Sequence, residues 1–198
     1  MSILERAFYT RPALDVARDL LGCRLVRALN GQRMSGFITE TEAYQGEEDL
    51  GCHASAGKTP RTAVMYGPPG YAYVYFTYGI HWLFNAVTSP EGTPAAVLIR
   101  AIQPDQGLDA MAENRPSKAR KTGWTDGPAK LTQALGIDGG LNTSDLLNRA
   151  SGLWIESGNA VPDQAVTRTA RVGLNSVPEP WRSIPWRFIV EGEHPHGS

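Results

Sequence analysis

The segment Phe37-Ile38-Thr39-Glu40-Thr41-Glu42-Ala43-Tyr44 carries two carboxylates two residues apart in a stretch with the alternation and β-propensity of a strand. On a strand, that spacing turns Glu40 and Glu42 toward one face. Ile38 shares their parity, so the same face is expected to be half buried. A carboxylate there is costly unless it is paired, hydrogen-bonded or used. A held, partly desolvated carboxylate is also what a general base requires. Arg100, at the end of the apolar run Ala95 to Ile99, is the candidate partner. A cation beside a carboxylate keeps it ionised. A solvated strand face for the glutamates, and an edge-strand surface position for Arg100, would explain the same residues without chemistry.

Aromatic residues follow. Tyr71, Tyr73 and Tyr75 share one parity and form a stripe on one face of a strand, with Tyr44 able to add a ring from another. Cross-strand packing accounts for such a stripe, and so does a platform on which flat bases stack. Tyr78 stands apart. It precedes Gly79 at an expected hairpin tip, where a large ring has little core to join and can wedge into a base stack. Cys52-His53 lies near Glu47, Glu48 and Asp49, but the spacing is poor for metal ligation and His81, His194 and His196 are scattered. No metal and no cofactor are expected, and His53 reads as a loop histidine giving a hydrogen bond. Arg115, Lys118, Arg120, Lys121 and Lys130 make a basic stretch broken by Asp126, with Lys58 and Arg61 as a second basic spot. These can track phosphates, or belong to an ordinary mixed surface.

The elements that must position these groups are short. Thr10 is placed to cap a helix from Arg11 to Leu21. Cys23 to Ala28 and Met34 to Tyr44 read as strands joined by Asn30-Gly31, a strong hairpin signal. Gln45 to Gly70 is a long Gly- and Pro-rich loop, and such loops in compact domains tend to be functional. Tyr71 to Thr77, Ile80 to Thr88 and Ala95 to Ile102 read as strands, Leu108 to Glu113 as a helix, and Pro128 to Leu135 as a helix stopped at Gly136. Leu153 to Ile155, Ala165 to Val172 and Trp186 to Val190 read as closing strands. The expected fold class is α+β: one domain over residues 1–193, a curved antiparallel sheet with short helices and long loops, and a loose tail from His194 to Ser198.

The bulk numbers agree. At 198 residues the chain favours one domain with a sizeable core. Gly 21 and Pro 14 support turns and short elements. The net charge of −1 argues against a protein that coats nucleic acid non-specifically, while leaving room for a local basic patch. Two cysteines, Cys23 and Cys52, form neither a disulfide framework nor a metal cluster, so a reducing compartment is expected. The N-terminal stretch lacks the apolar core of a signal peptide, and no run is long enough for a membrane span. A cytoplasmic location without membrane contact follows as the expectation.

Taken together, the blocks resemble the alkyladenine (3-methylpurine) DNA glycosylase family. They are Glu40-Thr41-Glu42-Ala43-Tyr44, His53, Thr59-Pro60-Arg61, Tyr73 to Gly79, Asn85 and Val97-Leu98-Ile99-Arg100-Ala101, followed by Gly127 to Gly136, Arg171-Val172-Gly173 and Trp186-Arg187-Phe188. The likeness runs through nearly the whole chain. It implies Glu42 as general base, with Arg100 and the Val172 carbonyl helping to hold the attacking water. It implies Tyr44, His53 and Tyr75 as the base sandwich, Asn85 as a wall that disfavours guanine, and Tyr78 as the intercalating residue. The implied partner is double-stranded DNA, approached as a monomer because an extended duplex must reach the pocket. The lesions would be alkylated or deaminated purines, and with no lysine beside Glu42 no strand cleavage is expected. The loops Ala54 to Lys58, Tyr66 to Pro69 and Ser89 to Pro94 depart from the family pattern, so base preference is the least transferable property. Two other readings fit the residues: a non-catalytic single-strand binding module built on the tyrosines, and a hydrolase of free nucleosides using Glu40 and Glu42 as an acid–base pair.

Overall fold

In the computed structural model, which describes residues 1–115 and 123–192, one long strand organises the rest. Strand β1 (Arg24–Leu29) turns at Asn30-Gly31 into β2 (Gln32–Gln45). β2 is the longest strand and the axis of an open antiparallel eight-stranded sheet. The others are β3 (Ala72–Thr77), β4 (His81–Val87), β5 (Ala95–Gln106), β6 (Leu153–Glu156), β7 (Val166–Thr169) and β8 (Arg187–Val190). The order β3-β4-β5-β2-β1-β6 forms the main path. The far half of β2 leaves β1 and pairs instead with β8, which pairs with β7. The fold is thus the single α+β domain expected. The helices are short: α1 (Arg6–Tyr9), α2 (Ala13–Asp19), α3 (Leu108–Glu113) and α4 (Pro128–Leu135). Among the described residues no helix is long and apolar enough to cross a membrane. The expected tail at 194–198 lies outside the described residues.

One face of the sheet carries the main core. Val16, Ala17 and Leu20 of the α2 region, Leu131 and Leu135 of α4, and Ile38, Ala43, Phe84, Val97 and Ile99 of the sheet are all fully buried. The other face holds a smaller cluster of Cys52, Met65, Tyr73, Val87 and Ala96, against which Tyr44 and Tyr75 pack. Two helices are pinned to the strands by hydroxyls: Thr41 donates to the Ala17 carbonyl at 2.8 Å, and Thr132 to the Trp82 carbonyl at 2.8 Å.

Three expectations need correction. The helix after Thr10 starts later, at Ala13, with Pro12 at its N-cap in an extended conformation. A residue before proline is kept out of the α region, so Arg11 cannot belong to the helix. The Thr10 hydroxyl instead donates to the Arg6 carbonyl, closing α1. The strand expected to run to Val172 ends at Thr169, so Val172 lies in a turn beyond it.

The third correction concerns the glutamate face. Ile38 and Glu42 do not share it, because the pairing of β2 with β5 slips twice between them. Ile38 pairs with Ile102 and Glu40 with Ala101, which leaves Thr39 as an extra residue; Thr41 then pairs with Ile99, which leaves Arg100 extra. Each slip is a β-bulge, and a bulge reverses which residues face the core. Met34 and Ile38 therefore enter the main core on even numbers, Ala43 on an odd one. Glu42 and Tyr44 pass to the opposite face of the sheet, with the cluster of tyrosines.

Candidate active site

On that second face the strands and the long loop enclose a cavity of about 320 Å³. β2 contributes Glu42 and Tyr44, β3 Tyr73 and Tyr75, β4 Asn85, and β5 Ala96, Leu98 and Arg100. The loop between β2 and β3 adds Cys52 and His53, and the turn after β7 adds Val172. Tyr78 lies at the mouth, 86% exposed on the tip of the β3–β4 hairpin. A mostly apolar concavity with a few convergent polar groups is the usual form of a ligand site.

The Glu42 side chain is 0% exposed. Its Oε1 accepts from the Val172 backbone N–H at 2.7 Å and lies 3.3 Å from Arg100 Nη1. Its Oε2 accepts from the Tyr44 hydroxyl at 2.7 Å. Isolating a carboxylate from water costs several kcal/mol, and two hydrogen-bond donors with the Arg100 charge beside them offset that cost. Burial first, and the Glu42 charge second, push the Tyr44 hydroxyl well above its ordinary pKa, so it remains a donor. Burial works against the Arg100 charge, but Glu42 and Glu40 outweigh it and the guanidinium is held above its ordinary pKa. The contact between Val172 and the carboxylate runs through its amide.

Glu40 has a different position. Its Oε1 accepts from Arg100 Nε at 2.5 Å and from Arg187 Nε at 2.6 Å, and it is not part of the cavity wall. The chain Arg187–Glu40–Arg100–Glu42 orients the arginine that reaches the buried carboxylate. Because β8 replaces β1 beside the far half of β2, Arg187 pairs with Glu42 in register and stands next to this network.

The aromatic wall is ordered by its own contacts. The His53 ring meets Tyr75 edge-on, with centroids 4.6 Å apart, and Tyr73 and Tyr75 lie 5.2 Å apart. Tyr73 Oη is 2.9 Å from His53 Nδ1. Asn85, almost fully buried, donates from Nδ2 to the Tyr73 carbonyl at 3.1 Å. Burial, then the Arg61 charge, lower the His53 pKa to about 4, so the imidazole is neutral at pH 7. The Arg61 guanidinium stands 5.0 Å over the Tyr75 ring at the rim. Tyr71, the third member of the stripe, lies under Arg6 at 5.4 Å and outside the cavity.

All eight residues picked out in the sequence line this one cavity: Glu42, Tyr44, His53, Tyr75, Tyr78, Asn85, Arg100 and Val172. Sequence reasoning missed the buried pair beneath them. The side chains of Arg171 and Asp49 are both 0% exposed and form a two-point pair at 2.5 and 2.7 Å. Arg171 also donates to the Ala43 carbonyl at 3.0 Å and stacks between Tyr44 (4.7 Å) and Trp186 (5.1 Å). Asp49 accepts from the backbone N–H groups of Gln45 and Gly51. The pair ties the turn bearing Val172 to the loop bearing His53. Nothing in the spacing could reveal it, since 122 residues separate the partners; only the charge of Arg171 inside the block Arg171-Val172-Gly173 was a hint.

The basic stretch is less uniform than the sequence suggests. Arg115 is buried and bonds to Gln133, while Lys130 pairs with Asp126 at 2.6 Å. Lys118, Arg120 and Lys121 lie outside the described residues. Among the described residues, no group of three or more His, Cys, Asp or Glu side chains is arranged to hold a metal ion.

Comparison with known proteins gives this arrangement a family. The model of the family described as Methylpurine-DNA glycosylase (MPG) matches residues 7–194. A protein of Carboxydothermus hydrogenoformans named "Putative 3-methyladenine DNA glycosylase" is 47% identical over 189 residues, covering 96% of this chain and 95% of its own. Proteins with the same name from Myxococcus xanthus (96% and 91% covered) and Methanocella arvoryzae (95% and 92%) are also 47% identical. The likeness spans both the sheet and the loops that carry the cavity residues. The chain belongs to the methylpurine-DNA glycosylase family and is a DNA glycosylase, a hydrolase of N-glycosyl bonds.

Proposed function

We propose that this chain releases alkylated or deaminated purines, of the 3-methyladenine, 7-methylguanine, hypoxanthine and ethenoadenine class, from double-stranded DNA, using water activated by Glu42. The observation that carries the reading is a carboxylate fully removed from solvent, held by two hydrogen-bond donors and the Arg100 charge on the wall of a cavity lined by Tyr44, His53 and Tyr75. A base in a duplex must leave the stack to reach such a cavity, at a cost of a few kcal/mol. Tyr78, exposed at the mouth, fills the gap and lowers that cost. Tyr44 and Tyr75 stack on the base. A cationic alkylpurine gains roughly 0.5–2 kcal/mol per aromatic face and is the better leaving group, so binding and lability favour the same lesions. Asn85 disfavours guanine at the cavity wall.

In the reaction a water proton passes to Glu42 as the water oxygen bonds to the sugar C1′. The N-glycosyl bond breaks and the base departs with its electron pair. Glu42, Arg100 and the Val172 backbone hold the water, and the carboxylate opposes the positive charge that develops on the sugar. Among the described residues no lysine lines the cavity, which fits hydrolysis to an abasic site without strand cleavage. The exposed tip at Tyr78 favours a duplex over a free nucleoside, and the engagement of Glu40 by two arginines disfavours its use as an acid partner of Glu42. The enzyme works as a monomer in the cytoplasm, with open access to DNA.

Single-turnover release from duplexes bearing one hypoxanthine or 3-methyladenine, read after alkaline cleavage of abasic sites, tests the reading. Glu42→Gln keeps DNA binding and loses release by about 10²–10⁴-fold, the usual worth of a general base. Release at near wild-type rates by this variant sinks the assignment.

A further inference from the structure

Arg100 is fixed in the cavity wall by its side chain rather than by strand pairing. It is the extra residue of the second bulge, without a register partner on β2 or β4, and a bulge of this kind re-aims a side chain without holding it. Glu40, which sits between the two bulges, supplies the hold. Its Oε1 takes the Arg100 Nε–H at 2.5 Å and the Arg187 Nε–H at 2.6 Å. The approach of Arg100 Nη1 to Glu42 Oε1, at 3.3 Å, is an ion pair and not a hydrogen bond. Among the described residues neither Nη group of Arg100 donates to a protein acceptor, and Arg100 lines the cavity while Glu40 does not.

The two carboxylates differ in what the proposed reaction asks of them. Glu42 takes a proton from the attacking water as the water oxygen bonds to C1′ and the base departs with its electron pair, so Glu42 ends neutral. An arginine anchored on Glu42 would lose its anion at the very step in which it must keep its place. Glu40 takes no part in that transfer and stays as the anchor. The charges agree: Glu40 and Glu42 balance Arg100 and Arg187. Without Glu40 the set carries one net positive charge beside a sugar on which positive charge develops, which opposes the field of the base.

We infer that Glu40 is a positioning residue for base release: by accepting from Arg100 Nε it aims the remaining guanidinium N–H groups at the attacking water and keeps them there after Glu42 has taken its proton. Arg187, 24% exposed, steadies Glu40 from the solvent side. The inference rests on the proposed excision of damaged purines and adds the residue that holds its arginine.

Glu40→Gln keeps the size of the side chain and an accepting oxygen and removes the charge. In single-turnover release of hypoxanthine from duplex DNA, the maximal rate is expected to fall about ten- to hundredfold, the worth of a hydrogen bond to a charged group, with the half-saturating protein concentration changed less than about threefold. In an Arg100→Met background the same substitution should change the rate by less than about threefold, because the group it positions is gone. Equal losses in both backgrounds, as a merely structural role would give, overturn the inference; so does a loss confined to binding, or no loss in either background. The slowly exchanging Nε–H signal of Arg100 in nitrogen-15 NMR of the full chain, assigned by its disappearance in Arg100→Met, gives a second reading that needs no folded Glu40 variant. It is expected to persist in Glu42→Gln, because Glu40 holds it; its loss there makes Glu42 the anchor and refutes the inference. If wild type released no damaged purine, the excision reading would fall, and the NMR signal would still decide what holds Arg100.

Discussion

The two tight hairpins of the sheet are built alike at their tips and serve different ends. Leu29-Asn30-Gly31-Gln32 joins β1 to β2, and Thr77-Tyr78-Gly79-Ile80 turns β3 toward β4, with the Ile80 N–H donating back to the Thr77 carbonyl. Both place two residues at positive φ: Asn30 at 52° and Gly31 at 77°, Tyr78 at 52° and Gly79 at 69°. Asparagine and glycine accept that conformation readily. Tyrosine does not, and a left-handed L-residue costs about 1–2 kcal/mol. The second hairpin also carries an extra residue before its strand pairing resumes, and this residue, Ile80, is 68% exposed. One turn thus obeys local propensity throughout, while the other violates it where a large ring projects into solvent. Strain retained at an exposed position fits the intercalating role proposed for Tyr78 better than a scaffold joint.

Exchanging the tip residues separates the two roles. Tyr78→Asn should slow release from duplex DNA by about one to two orders of magnitude, the scale of a flipping cost of a few kcal/mol. An ethenoadenine fluorescence probe should lose its response at the same time. An unchanged response would remove the wedge from Tyr78. The same change should raise stability by about 1 kcal/mol in urea titration, because asparagine relieves the turn. The mirror change, Asn30→Tyr, should lower stability by about 1–2 kcal/mol and leave release untouched. A fall in activity there would mean that the first hairpin also meets DNA.

Acid provides a smaller contrast. His53 packs on β3, and its folded pKa of about 4 lies below the ordinary 6.5. Between those values the unfolded chain binds the extra proton, so stability rises with pH through this window. It is complete above about pH 6.5 and declines as pH falls toward 4. The thermal midpoint should follow that course, and His53→Gln should flatten it. A slope unaltered by the substitution would show that other groups govern acid sensitivity.

These contrasts also indicate what could be read before the fold was seen. Asn30-Gly31, the helix from Pro128 to Leu135 with its stop at left-handed Gly136, and the alternating strands were legible because a few neighbouring residues decide them. The block pattern also supplied the catalytic candidates, since each sits in a locally distinctive run. The second face of β2 was misjudged, because the bulges at Thr39 and Arg100 arise from pairing with a strand about 60 residues away. The late start of α2 was open to view in Arg11-Pro12 and was misread.

By itself, then, the sequence determined the element types, the turns and the family to which the chemistry belongs, because propensity, periodicity and motif are local properties. Only the tertiary structure decided that Glu42 turns away from Ile38, that an amide 130 residues distant meets its oxygen, and that Asp49 and Arg171 lock beneath the cavity. Those contacts join positions remote along the chain. Their energies come from burial and convergence in space, which no stretch of sequence contains.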